Sequence, residues 1–156
     1  MSTFLLPRQP ITSVADYLAT EIGGQGLATA RRIGPQATIE AITAAGLRGR
    51  GGGGFPTGRK WAGIAGQAGT RRYVVANGAE GEPGAFGDRA LLRANPYQVA
   101  EGLMIAAFAV GAEAAFVGLK ASFEREVAAI TRAVQQLQAA GLGEGLTVTI
   151  VGGPDE

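Results

Sequence analysis

The sequence predicts an α/β fold: a mostly parallel sheet with helical crossovers, preceded by short N-terminal helices. Three observations predict it. Apolar runs of strand length lie at Arg72 to Ala76, Ala114 to Leu119 and Leu146 to Val151. Two helical segments stand between them, one opened by Asn95 and Pro96, the other by Ser122. Strand, helix, strand, helix, strand implies parallel strands with helical crossovers, a Rossmann-like arrangement. A chain of 156 residues is expected to form one domain, and 46% hydrophobic residues are ample for its core.

In chain order, residues 1 to 10 read as a loose arm. Their apolar run is too short for a signal peptide, so a cytoplasmic location is the default expectation. Ser13 is placed to cap a short helix with Val14, Tyr17 and Leu18, stopped at Gly23 and Gly24. A second segment holds Leu27, Ala30 and Ile33, and a third runs from about Thr38 to Ala45, ending at Gly46. In the first strand Tyr73, Val74 and Val75 read as a buried run. Asn95 and Pro96 then supply a cap and a first helical residue, and Gln98 sits where a capping box closes. That helix runs to about Val110 and ends at Gly111. From Gly102 to Leu119 the chain is apolar apart from Glu113, which raises a transmembrane alternative. Gly111 and Glu113 break it, so Ala114 to Leu119 reads better as a buried strand and no membrane insertion is expected. In the last helix Phe123, Val127, Ile130, Val134 and Leu137 step by fours and threes down one face, which is core packing.

Chemistry concentrates in two stretches. The first is GLRGRGGGGFPTGRKW, Gly46 to Trp61, in which six of the first nine residues are glycine. Such a backbone comes close to a ligand and can aim several N–H groups at one anion. Pro56 restricts Phe55 to extended conformations, and Thr57 is a good cap for a helix over Gly58 to Ile64, closed by Gly66. A loop leading into a helix start, with Arg50, Arg59 and Lys60 nearby, is the recipe for an anion pocket. Gly49, Gly51 and Gly54 satisfy G-x-G-x-x-G, but Ile39, Ile42 and Ala45 before them have helical spacing where the dinucleotide fingerprint needs a strand. Gly53 and Gly58 have Walker A spacing, but Arg59 replaces its lysine and Trp61 stands where a hydroxyl should hold Mg²⁺, which excludes an NTPase. A disordered Arg-Gly linker that binds RNA is the bland alternative; such tails repeat and lack a capped helix straight afterwards.

The second stretch is NGAEGEPGAFGDR, Asn77 to Arg89. Glu82, Pro83, Gly84 and Ala85 fit a type II turn. Glu80 and Glu82, two apart, project to one side of an extended segment. Carboxylates in a polar turn are usually just solvated; against that stands their place at the C-terminal end of a strand, where ligands of open α/β sheets bind. Both stretches are expected to line one pocket. Glycosidase chemistry is not expected, since two carboxylates this close in sequence do not easily flank a sugar from opposite faces.

Fourteen basic and thirteen acidic residues leave a net charge of +1, so no global field recruits nucleic acid or an anionic membrane. Cysteine and histidine are both absent. Disulfides, thiolate-held iron–sulfur clusters, the usual zinc sites and Ser-His-Asp or Cys-His catalysis are therefore excluded within this sequence.

Together GLRGRGGGGFPTGRKW, NGAEGEPGAFGDR and NPYQVAEG resemble the flavin- and NADH-binding subunit of respiratory NADH:quinone oxidoreductase (complex I), with relatives in NAD-linked hydrogenases and formate dehydrogenases. The resemblance runs from about Gly23 to the last residue. It implies FMN as cofactor and NADH as substrate, with hydride passing from nicotinamide to the flavin. It places Gly49, Arg50, Gly51, Gly52 and Gly54 against FMN, with Lys60 beside it, and Asn77 and Glu80 as further flavin contacts. Phe55 and Glu82 match residues that hold NADH, by stacking and by accepting hydrogen bonds. No residue is implied as an acid or base, and no metal ligand. Residues 1–35 are then a helical arm and 36–156 the FMN-binding α/β domain. Iron–sulfur subunits or domains of a multi-subunit oxidoreductase, peripheral to a membrane, are the implied partners. A non-catalytic nucleotide-binding or assembly module of the same ancestry is the alternative. Ala79 stands where the respiratory family has aspartate, and N-G-A-E-x-E-P resembles the related component of Rnf-type ferredoxin:NAD oxidoreductases. Gly63 replaces an aromatic residue of the nucleotide site. The family pattern also continues beyond GGPDE into a C-G-E-E segment, a ubiquitin-like domain and a cysteine-ligated iron–sulfur domain.

Overall fold

A computed structural model describes residues 5–69 and 71–154, so the first four residues of the expected arm lie outside the described residues. Four helices come first: α1 (Val14–Leu18), α2 (Gln25–Ile33), α3 (Pro35–Ala44) and α4 (Thr57–Ala65). Then follow β1 (Tyr73–Asn77), α5 (Gly87–Ala94), α6 (Pro96–Val110), β2 (Ala114–Lys120), α7 (Glu124–Ala139) and β3 (Thr147–Gly153). The sheet order is β1-β2-β3 and both pairings are parallel, as the alternation of strand and helix runs predicts. Val75, Phe116 and Thr149 lie side by side across the three strands.

Local chemistry accounts for most of the boundaries. The Ser13 hydroxyl accepts the Asp16 N–H and opens α1. The Asn95 side chain accepts the Gln98 N–H and so caps α6, but the expected capping box does not close: the Asn95 N–H donates to the Leu91 carbonyl, and the Gln98 carboxamide meets the Asn95 side chain instead. Gly111 ends α6 with φ +67°, a conformation that favours glycine. Some starts differ from expectation. α3 begins at Pro35, which occupies its first turn. α4 begins at Thr57 rather than being capped by it: Pro56 holds the cap position, without a side-chain bond. α7 begins at Glu124, two residues after Ser122.

Ala115, Val117 and Leu119 alternate along β2 and pack with Tyr97, Leu103, Met104, Ile130, Val134 and Leu137 in one core. Tyr17 and Leu27 join it, so α1 and α2 share the core of the sheet domain. Tyr17 stacks on Tyr97 with ring centroids 5.7 Å apart. The buried carboxylate of Glu101 accepts the Tyr17 hydroxyl at 2.6 Å and the backbone N–H groups of Gly24 and Leu27 at 2.8 Å.

The helices that pack on the sheet, α6 and α7, also pack on each other, so they cover a single face. The expected burial of Tyr73 and Val75 is therefore a correction: they are 50% and 65% exposed. β1 is an edge strand, and only its Val74 and Ala76 turn toward the helices, packing on the core.

Candidate functional site

The glycine-rich stretch is a pinched loop. Arg48 and Pro56 form an antiparallel bridge, Thr57 N–H donates to the Leu47 carbonyl and Gly49 N–H to the Phe55 carbonyl, each at 2.9 Å. The Arg48 guanidinium adds a bond to the Gly54 carbonyl at 3.1 Å. These contacts close a small loop over Arg50, Gly51, Gly52, Gly53 and Gly54. The Gly49 N–H is thus spent inside the protein rather than aimed at a ligand. A Cβ added to any of Gly51 to Gly54 would meet nothing, so open space adjoins this backbone. Gly52 and Gly54 have φ of +93° and +55°, which other residues rarely adopt.

Beside the loop, along the free edge of β1, lies a cavity of about 620 Å³, within the range of small-molecule sites. Gly49, Phe55 and Lys60 line it from one side and Tyr73 to Ala76 from β1. Trp61 and Ile64 of α4 and Gly102, Leu103 and Ala106 of α6 complete its apolar wall. The absent side chain at Gly102 keeps that wall open, since a Cβ there would meet nothing. Gly102 and Trp61 are contributions the sequence did not suggest; the one available signal was a glycine inside an otherwise strong helix. Phe55 is 49% exposed, and the Arg59 guanidinium lies 5.9 Å from its ring centre.

Asn77, Glu80 and Glu82 are not among the residues that line this cavity. Asn77 borders a separate space of about 100 Å³ with Gly78, Asp88 and Leu92, and its side-chain carbonyl accepts the Ala79 N–H at 3.0 Å. The turn at Glu82 forms as expected, with Ala85 N–H on the Glu82 backbone carbonyl and Gly84 at φ +80°. The Glu82 residue is exposed, whereas the Glu80 side chain is 4% exposed. The two acids therefore do not share one environment. Glu80, at φ +43°, receives the Asp88 N–H and the Arg89 guanidinium, both at 2.9 Å, so it ties the loop to the start of α5. Arg89 in turn lies 5.0 Å over the Phe123 ring.

Burial pushes the Glu80 carboxyl up, but the bond from Arg89, the N–H groups of Asp88 and Arg89 and the Arg89 charge together hold it below the usual carboxylate value. Burial, then the Glu80 charge, pushes Asp88 the other way. A lowered folded-state pKa stabilises the protein above the unfolded value, near 4.5, and that contribution is lost as pH falls through the folded one. Glu80→Gln is therefore expected to lower the melting temperature at pH 7 and to flatten its decline below pH 4.5. Melting curves across about pH 3 to 7 check this, and parallel declines for both proteins would refute it.

A pinched glycine loop beside an apolar cavity with a lysine, at the edge of a parallel sheet, defines a nucleotide-cofactor-binding α/β protein. Residues 42–156 match the Nuo51 FMN-binding domain, and the chain belongs to that family. It is 38% identical over 130 residues to an NADH-quinone oxidoreductase component of Rhizobium meliloti, covering 81% of this chain and 31% of that protein. It is 36% identical over 135 residues to the NADP-reducing hydrogenase subunit HndC of Solidesulfovibrio fructosivorans, covering 86% of this chain and 27% of that one. Among solved structures it is similar to an NAD+-reducing [NiFe]-hydrogenase in the air-oxidised state, with a TM-score of 0.77 and 33% identity over 92% of this chain and 25% of that one. The chain thus spans less than a third of the length of these relatives.

FMN is the family's cofactor, and the residues present fit it: open glycine backbone, a cavity of suitable size, and Lys60 on its wall for a negative charge. Among the described residues, no helix is long and apolar enough to cross a membrane.

Proposed function

We propose that the chain is the FMN-binding portion of an NADH-oxidising electron-transfer flavoprotein. With FMN and NADH bound, such a protein would pass hydride from NADH to the flavin and electrons onward to iron–sulfur clusters on partner subunits or domains of an oxidoreductase peripheral to a membrane. The observation that carries the proposal is the cavity that joins Gly49, Phe55 and Lys60 to the edge of β1. When bound, FMN supplies the ring that accepts hydride and releases electrons.

The chain's own residues bind and orient. Arg50 and the Gly51–Gly54 backbone present a positive, close-fitting surface, and Lys60 supplies charge at the cavity wall. Phe55 offers an exposed aromatic face to the nucleotide, and the exposed Glu82 accepts hydrogen bonds from its sugar hydroxyls. Asn77 and Glu80 shape the loop that follows β1, the first by turning the chain and the second through Arg89.

Titration of the purified chain with FMN, followed by quenching of flavin fluorescence, tests the proposal. Binding is expected, and Lys60→Ala should weaken it about tenfold, the effect of losing about 1.4 kcal/mol of charge-assisted contact. Quenching that is absent, or indifferent to Lys60, would count against it.

A further inference from the structure

We infer that Arg72 is a positioning residue for the cavity: its guanidinium bridges the C-terminal ends of α4 and α6 and so sets where α4, with Lys60 and Trp61, stands against β1. Arg72 immediately precedes β1, and its carbonyl accepts the Glu113 N–H at 2.9 Å just ahead of β2. The backbone at this point is therefore fixed to the sheet. From there the side chain donates through Nη1 to the Val110 carbonyl at 3.1 Å and through Nη2 to the Gln67 carbonyl. Val110 is the last residue of α6, where a carbonyl has no partner within the helix and the dipole is negative. The Gln67 carbonyl lies in the turn just beyond α4. A planar fork of donors can serve both, which a single ammonium cannot. α4, β1 and α6 are the walls of the cavity, and Val110 itself lines it, so one side chain outside the cavity ties all three walls together.

The seat of α4 depends on few contacts, which makes this one decisive. No residue of α4 belongs to the main core, and its Ile64 is 40% exposed. The N-terminal end of α4 is held by the Thr57 N–H on the Leu47 carbonyl and by the close approach of Gly58 to Thr43. At the other end the Gln67 N–H returns to the Ile64 carbonyl within the same segment, whereas the bond from Arg72 ties that end to the sheet. The guanidinium also has room made for it. Gly111 follows α6, and a Cβ there would lie 3.1 Å from the Arg72 Nη1. The Arg72 Nε is buried without a hydrogen-bond partner, a desolvation cost that the two bridging bonds offset. Its neighbour Arg71, by contrast, is exposed and meets Glu113 at 3.8 Å, a surface pair that contributes little.

Trp61 is the single tryptophan of the chain and stands half-buried on the cavity wall, so its fluorescence reports the seat of α4 without any ligand. Acrylamide quenching of Trp61 is compared for the wild type, Arg72→Met and Arg72→Lys at a temperature where circular dichroism shows each of them folded. Both substitutions should raise the quenching constant about twofold, because methionine donates nothing and lysine does not span both carbonyls. FMN affinity, a readout that rests on the proposed flavin site, should fall about tenfold for Arg72→Met and remain below wild type for Arg72→Lys. Full rescue by lysine, which keeps the charge, would show a purely electrostatic role and overturn the bridge. Unchanged quenching in both variants overturns it as well. So does a loosened Trp61 with undiminished FMN affinity, because the seat of α4 then does not serve the cavity. Should Arg72→Met fail to fold, Arg72→Lys decides alone. A wild-type chain that binds no FMN counts against the flavin site only, and the quenching of Trp61 then decides the role of Arg72.

Discussion

Glu101→Leu is expected to cost about 3 to 5 kcal/mol of folding stability, because it strands hydrogen-bond donors in a closed environment. The wild-type carboxylate holds the Tyr17 hydroxyl and the Gly24 and Leu27 N–H groups. Those N–H groups lie at the cap of α2 and within its first turn, where a helix has no internal partners for them. A carboxylate there also meets the positive end of the helix dipole. Burial, followed by the Glu101 bond and charge, pushes the Tyr17 phenol well above its usual pKa, so it remains a donor at any ordinary pH. Leucine matches the volume and supplies none of this. Urea unfolding followed by circular dichroism measures the loss, and a change under about 1 kcal/mol would show that water replaces the carboxylate.

Gly58→Ala should be the other severe substitution, at about 2 to 4 kcal/mol, by forcing two backbones apart. A Cβ at Gly58 would lie 2.1 Å from the Thr43 hydroxyl oxygen and 2.8 Å from its backbone N and Cα. The hydroxyl is bound to the Ile39 carbonyl at 2.8 Å, and the main chain of α3 has no rotamer to escape into. α4 must therefore move away from α3, and it carries Lys60, Trp61 and Ile64 on the cavity wall. FMN affinity should fall together with stability. Thermal melts and the fluorescence titration read both, and a variant that melts normally would show that the helices reseat at little cost.

The architecture was legible in the sequence because its strands are short apolar runs, α6 carries strong boundary residues and α7 has a clear apolar stripe. Asn95, Pro96 and Gly111 act through neighbours a few residues away, so their roles follow from local pattern. α5 escaped detection for the opposite reason. Its cap position is Phe86, with no side-chain bond, and Glu80 receives the Asp88 N–H from eight residues upstream. The same distance effect hid Glu101, whose partners lie 74 to 84 residues away. Burial on β1 was misjudged because three consecutive apolar residues do not say whether a strand is central or at an edge. Within the site, Gly49, Phe55 and Lys60 meet as their nearness in sequence suggests. Glu80 and Glu82 read alike in the sequence, but one is buried on Arg89 and the other exposed in the turn, because the partner of Glu80 lies nine residues downstream.

The bridge between Arg48 and Pro56 has a thermodynamic consequence. A free glycine run samples more backbone conformations than any other, and ordering it costs about 1 to 2 kcal/mol per residue. With its ends joined during folding, the loop has already lost part of that freedom before a ligand arrives. Less disorder then remains to be removed on binding, so a given set of backbone contacts yields a tighter complex than the same glycines would in an open linker.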